Sequence, residues 1–138
     1  KLYFSPRRNP LKDRYAAWVK SAVDEQKMRE AAAFFVGEHD FKAYCASGSQ
    51  VKTTVRTVYS IDIVRRGEEA EVSVCGNGFL YNMVRTIVGT VLFYALGRIS
   101  AEDIERSITE CDRSLVGKTM PAKGLTLYSV DYGYELFL

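Results

Sequence analysis

The sequence has no long uninterrupted apolar stretch. A membrane-spanning helix needs about 20 consecutive apolar residues, whereas Arg85 interrupts the longest apolar run of this chain. The first residues are basic and polar, unlike the apolar core of a secretory signal peptide. These absences predict a soluble, cytoplasmic protein with no membrane partner.

Cysteine is scarce and widely spaced. Cys45, Cys75 and Cys111 are an odd number and form no C-x-x-C pair. An odd set without short spacings supports neither a disulfide framework nor a zinc site. We therefore expect reduced thiols and no structural metal.

A strong net charge is also missing. The formal charge of +2 is too small to indicate nucleic-acid binding by itself. The basic residues nevertheless accumulate at one end, because residues 1–20 hold six Lys and Arg against Asp13 alone. Arg7, Arg8 and Arg14 belong to this group, and two interpretations stay open for them: a solvated surface, or a rim that binds phosphate.

The remaining composition suits one globular domain. The chain has 138 residues, of which 47% are hydrophobic and 26% charged, and this length can bury a single core. We predict that residues 1–138 form one unit, in which residues 1–20 are a basic entry segment.

The apolar patterns predict seven elements in the order β-α-β-β-α-α-β. These are a short strand over 14–19, a helix from an Asp24 cap to residue 36, strands over 55–65 and 70–75, a helix over 79–96, a helix from Ser100 to residue 111, and a strand over 125–132. Alternation in the first hairpin strand predicts that Val55, Thr57, Tyr59, Ile61 and Ile63 share one face. The predicted class is α+β, an antiparallel sheet with helices packed on one face.

Arg85 is the only charged residue between Gly76 and Gly97. A guanidinium cannot lose its proton to escape burial, so it must reach solvent or pair with an anion. Snorkelling to the helix rim is the simpler explanation, and a carboxylate or phosphate partner is the alternative.

Two further strings invite a functional interpretation. Gly76-Asn77-Gly78 precedes the long helix and permits close backbone approach to a phosphate, but a strand-to-helix turn explains the glycines equally well. His39 stands beside Asp40, but adjacency in sequence does not make a catalytic pair. We expect a structural role for His39 at a helix end.

Several strings together resemble the tRNA pseudouridine synthase A family. They are Gly37-Glu38-His39-Asp40-Phe41, Val55-Arg56-Thr57-Val58-Tyr59, the block GNGFLYNMVR over 76–85, and the closing Gly117-Lys118-Thr119, Pro121-Ala122 and Gly124-Leu125. The resemblance covers about residues 20 to 132. It implies an isomerase that converts uridine to pseudouridine in the tRNA anticodon stem-loop, at about positions 38 to 40, without cofactor or metal.

The same resemblance implies roles for individual residues. In the family, the arginine that closes the GNGFLYNMVR block pairs with the catalytic aspartate, and Arg85 occupies that place. Phe79 and Leu80 are expected to wall the uracil pocket, with Asn77 nearby, and Tyr3 is a tentative match to a tyrosine that packs on the target base. Independently of the resemblance, Arg56, Arg7, Arg8 and Arg14 are the arginines expected to contact phosphate, and exposed solubilising charge stays open as the alternative for each.

The sequence departs from the family pattern in one respect. The catalytic aspartate lies in a G-R-T-D-x-G-V-H motif in the family, and no such motif occurs here. We therefore expect an N-terminal half to be absent, this chain to be inactive alone, and its partners to be that half, tRNA and a second copy in a homodimer. Two alternatives stay open, a non-catalytic module that binds structured RNA and an interaction domain without an RNA partner.

Overall fold

A computed structural model describes residues 1–46 and 51–130 of the chain. Its α-helices and β-strands, numbered in chain order, are β1 (Leu2–Phe4), β2 (Ala17–Val19), α1 (Glu25–Ala33), β3 (Gly37–Asp40), β4 (Val55–Arg66), β5 (Glu69–Gly76), α2 (Met83–Ala95) and α3 (Ala101–Thr109). The α+β class is confirmed.

The strands form one five-stranded sheet in the order β2-β1-β5-β4-β3. The β4–β5 hairpin is its centre, with Arg65 opposite Ala70 and Ile61 opposite Val74. The pairing is antiparallel throughout except between β1 and β2, which run parallel. α1 packs against both β4 and α2, so the sheet floor and the helices enclose a shared core.

A register shift between Val58 and Ser60 divides β4 into two parts. A bulge changes which side chains face the core: Val58 is buried, whereas Tyr59 is 59% exposed. The prediction that Val55, Thr57, Tyr59, Ile61 and Ile63 share one face is therefore wrong, because Val55 and Tyr59 are exposed whereas Ile63 is buried. Strict alternation cannot reveal a bulge.

Local capping signals place the starts of α1 and α3 as predicted. The Asp24 carboxylate accepts a hydrogen bond from the Gln26 backbone N–H, and Ser100 and Asp103 form a reciprocal capping box. Both helices end earlier than the patterns predicted, at Ala33 and Thr109. Capping side chains satisfy N–H groups that a helix start leaves unpaired, which explains why these positions were readable.

α2 begins at Met83, four residues later than predicted. The preceding residue Asn82 has a left-handed backbone with φ of 63°, a conformation that asparagine tolerates better than most residues. Residues 79–82 therefore form a separate turn, and Arg85 lies in the first turn of α2.

The sequence analysis did not predict β1 and β3, and the strand that it predicted over 125–132 is absent from residues 125–130. β1 was not recognised, and β3 includes His39, which lies opposite Arg56 in the sheet and not at a helix end. Residues 125–130 contain no strand, while 131 and 132 lie outside the described residues. Within the described ranges no helix is long and apolar enough to cross a membrane.

Candidate functional site

The turn between β5 and α2 is built on a close backbone approach. A Cβ on Gly76 would lie 2.8 Å from the Thr57 carbonyl oxygen and 3.2 Å from the Phe79 ring. Glycine therefore lets Phe79 fold back over the end of the hairpin. The Phe79 side chain remains 41% exposed, so its ring is available to an incoming group.

Asn77 and Arg56 meet at the same end of the hairpin. The Thr57 N–H donates to Asn77 Oδ1 at 2.9 Å, and the Asn77 N–H donates to the Thr57 carbonyl at 3.0 Å. Arg56 Nη1 donates to the carbonyls of Thr53 and Val55, each at 2.7 Å. The structure thus brings Arg56, Asn77 and Phe79 together, with Arg56 tethered to backbone oxygens.

Leu80 is a member of the GNGFLYNMVR motif that faces the protein core. It is buried in the main core, and its backbone N–H points at Met83 Sδ, 3.4 Å away. In this structure Leu80 anchors the turn and does not line an open pocket, so its expected place in a uracil pocket stays a prediction without structural support.

Arg85 is half-buried and held at two points. Its Nε donates to the Met120 carbonyl and its Nη1 donates to Asn82 Oδ1, both at 2.6 Å. The Met120 N–H in turn donates to the Arg85 carbonyl at 3.2 Å. None of the acids in the described ranges lies within ion-pair distance of Arg85, and both of its side-chain hydrogen-bond partners are uncharged.

Arg85 borders a small groove of about 40 Å³ with largely apolar walls. Leu2 and Val72 come from the sheet, Val84 and Val88 from α2, and Pro121 and Leu125 from the following segment. An ion pair in such surroundings is stronger than one in water because the local dielectric is low. The groove therefore suits a carboxylate that reaches the guanidinium through apolar surroundings. Asn77 and Phe79 do not belong to it.

Residues 117–120 lie directly against α2 and fix the Met120 carbonyl. A Cβ on Gly89 would fall 1.6 Å from the Lys118 carbonyl oxygen, so only glycine permits this contact. The Gly117 N–H donates to Thr90 Oγ1 at 2.9 Å, and the hydroxyls of Thr86 and Thr119 are 3.0 Å apart. The sequence analysis did not predict this contact. The signal for it was the presence of small and polar residues in an otherwise apolar helix.

The basic residues of the entry segment lie far from Arg56. β1 pairs with the beginning of β5, whereas Asn77 follows its end, and seven residues of strand span about 23 Å. Arg7 and Arg14 are exposed. Arg8 is exposed too, but it pairs with Asp13 at 3.0 Å and its guanidinium lies 5.1 Å from the centre of the Trp18 ring. The predicted phosphate contacts thus form two separate groups.

Tyr3 is fully buried. Its hydroxyl donates to Asp13 Oδ1 and accepts from the Asn9 N–H, and burial together with the Asp13 carboxylate raises the pKa of Tyr3. Because no face of the ring is accessible, this geometry does not favour the tentative assignment of Tyr3 to packing on a target base.

Other candidate features carry less chemistry. A larger groove, of about 460 Å³, runs between α1 and β4 along Ala32, Val36 and Ile61, away from the motif residues. His39 Nε2 donates to the Val36 carbonyl at 3.0 Å, a structural contact. In residues 1–46 and 51–130 no group of three or more His, Cys, Asp or Glu side chains is placed to hold a metal ion.

Comparison with known proteins agrees with the motifs. The family model described as tRNA pseudouridine synthase matches residues 31–133. Relatives named tRNA pseudouridine synthase A occur in Brevibacillus brevis, with 44% identity over 90% of this chain, and in Geobacter sp. strain M21, with 46% identity over 91%. These alignments cover 52% and 51% of the respective relatives.

The described part of the chain is an α+β domain with an arginine held at the start of α2. The chain belongs to the tRNA pseudouridine synthase family. It spans about half the length of the curated relatives that it matches.

Proposed function

We propose that this chain forms one side of the catalytic cleft of an enzyme that converts uridine to pseudouridine in the tRNA anticodon stem-loop. In this reaction the C1′–N1 glycosidic bond breaks, the uracil turns, a C1′–C5 bond forms, C5 releases its proton, and N1 takes up a proton. The relatives' name, tRNA pseudouridine synthase A, supports tRNA as the substrate. Positions 38 to 40 are the expected targets, as the family resemblance implied.

One observation carries the proposal. Arg85 is positioned in an apolar groove by two neutral acceptors, Met120 and Asn82, and no acid of the described residues satisfies its charge. Even a half-buried charge is stabilised by a counterion in apolar surroundings. An aspartate from the N-terminal half would pair with Arg85, and the cation would keep that nucleophile ionised and oriented.

This assignment makes the chain a binding and orienting half. Phe79 and Asn77 would contact the target nucleotide, while Arg56, Arg7, Arg8 and Arg14 would contact RNA phosphates. Such contacts confer affinity but supply no nucleophile. We therefore expect the chain alone to bind tRNA weakly and to form no pseudouridine, and we expect the enzyme to be a homodimer in the cytoplasm.

The test replaces Arg85 in a protein that contains both halves. Arg85→Met keeps length and apolar contact but removes the charge, so turnover should fall by at least about 100-fold with little change in tRNA affinity. Arg85→Lys should recover part of the activity, because a lysine cannot make the two-pronged contact. Activity is measured as tritium release from C5-labelled uridine in tRNA.

Arg98→Met provides the matched control. Arg98 is exposed just beyond the other end of α2 and stacks on Phe93, so its replacement should leave turnover unchanged. Tritium release by this chain alone, or full turnover by Arg85→Met, contradicts the assignment. If wild type forms no pseudouridine but binds tRNA in a salt-sensitive way, the RNA-binding module is the correct function.

A further inference from the structure

Arg85 offers a carboxylate only one of its two edges. A guanidinium can hold both oxygens of a carboxylate on its Nε/Nη2 edge or on its Nη1/Nη2 edge. The Met120 carbonyl accepts from Nε at 2.6 Å and so occupies the first edge. The Nη1/Nη2 edge is left for an incoming acid.

Asn82 controls how that second edge is presented. Its Oδ1 accepts from Nη1 at 2.6 Å, which uses one of the two Nη1 hydrogens and leaves the other, with Nη2, for a partner. Asn82 has a left-handed backbone, with φ of 63°, immediately before α2, and its side chain reaches Arg85 from there. An ordinary helical cap accepts from the backbone, whereas Asn82 makes no such bond.

We propose that Asn82 is a positioning residue that, together with the Met120 carbonyl, holds Arg85 so that only the Nη1/Nη2 edge meets the catalytic carboxylate. The proposal rests on the proposed function of Arg85 and adds a residue to it. Asn82 contacts neither base nor sugar in this scheme. Its neutral amide matters, because an acid at the same place would neutralise Arg85 from within the chain.

Two substitutions separate positioning from mere structural support. Glycine and aspartate both tolerate a left-handed backbone. Asn82→Gly removes the tether, and we expect kcat to fall about 10-fold with an unchanged KM for tRNA, because small misplacements of catalytic groups are costly. Asn82→Asp keeps an acceptor but adds a charge that competes for Arg85, so kcat should fall by at least about 100-fold.

The kcat of Asn82→Gly is the decisive measurement. If Asn82 only supported the fold, this variant would unfold at a lower temperature but keep the kcat of the wild type. Asn82→Asp tests the contact separately: it should unfold at a temperature no lower than Asn82→Gly but lose more kcat, because its charge competes for Arg85. Both are made in the protein that contains both halves and assayed by tritium release and by thermal unfolding.

Ser100→Gly is the matched control at another helix start. It deletes a side chain that caps α3, so it should lower the unfolding temperature without changing kcat. The proposal is overturned if Asn82→Gly keeps the kcat of the wild type, or if the loss appears in KM and not in kcat. A wild-type enzyme that forms no pseudouridine would instead overturn the function on which the proposal rests.

Discussion

Arginine side chains in this protein often bind backbone carbonyls. Besides Arg85, the arginines Arg29, Arg65 and Arg113 donate to the carbonyls of Ile63, Val23 and Cys45, at 2.8, 3.0 and 2.8 Å. Each contact joins segments distant in sequence. A sequence cannot distinguish such tethers from arginines that bind phosphate, which is why Arg56 was predicted only as a phosphate contact although it also holds two carbonyls.

Tyr44 is a buried tyrosine that we expect to make the stability of the protein pH-dependent. Its ring is fully buried and its hydroxyl is 2.7 Å from Ser107 Oγ. Ser107 itself donates to the Ile104 carbonyl, so Tyr44 is the donor in this pair. Burial raises the pKa of Tyr44 to about 12, from a usual value of 10.0.

Tyr44→Phe should therefore change stability in a pH-dependent way. At pH 8 the variant loses one hydrogen bond and about 1 kcal/mol of unfolding free energy. Above the usual pKa the unfolded tyrosine ionises first, so the wild type loses stability as pH rises, by about 1.4 kcal/mol at pH 11. Urea unfolding should show the two proteins nearly equal at that pH, and a difference that does not vary with pH would contradict this account.

At the scale of elements, sequence reasoning succeeded where the signals were local. The caps at Asp24 and Ser100 and the β4–β5 hairpin depend on residues close in the chain. It failed for β1, a short strand whose two neighbours come from residues 17–19 and 69–70. Such pairing depends on contacts that no local pattern encodes.

In the candidate site, too, some features could be predicted from the sequence and others could not. Residues 76–85 were identified as a unit because they are contiguous and carry distinctive glycines and Arg85. The partners of Arg85 were not identified, since Met120 contributes only a backbone carbonyl, which any residue type supplies. The Asn82 contact was equally hidden, because it depends on a left-handed backbone.

The contact between α2 and residues 117–120 gives a prediction for an element. Gly89→Ala raises intrinsic helix propensity by about 1 kcal/mol, but its Cβ would fall 1.6 Å from a backbone oxygen, and no rotamer relieves that overlap. We expect a net destabilisation of about 3 kcal/mol and, in the protein with both halves, loss of turnover because the Met120 carbonyl leaves Arg85.

Gly97→Ala tests whether the loss of turnover in Gly89→Ala comes from the contact between α2 and residues 117–120. A Cβ there meets nothing within 4 Å, but the φ of +76° strains an alanine, at a cost of about 1–2 kcal/mol. Turnover should be unaffected. Chemical unfolding and tritium release compare the two variants, and equal losses of turnover would show that residues 117–120 do not position Arg85.

At the scale of the whole molecule, apolar side chains remain uncovered after α3. Leu127 is 75% exposed, Tyr128 97% and Val130 53%, in a segment without regular structure. Contiguous exposed apolar residues mark surfaces that contact another molecule. Because the relatives are about twice as long as the aligned region, we expect the other half of such an enzyme to cover this surface.

The chain alone should therefore self-associate through residues 125–130. We expect sedimentation velocity to show dimers or larger species at high concentration, because a second copy buries the apolar surface that the other half would cover. Leu127→Ser combined with Tyr128→Ser should shift the distribution towards monomer. Addition of the N-terminal half in trans should replace the self-associated species by a complex of the two halves, because that half competes for this surface.

Leu11→Ser is the control, since Leu11 is 72% exposed but lies in the entry segment. It removes a comparable apolar side chain from a different surface, so association should persist. A wild-type chain that stays monomeric at high concentration contradicts the prediction outright. A defined association surface is sensitive to where an apolar group is removed. If Leu11→Ser dissociates the chain as much as the double variant does, general hydrophobicity and not residues 125–130 drives the association.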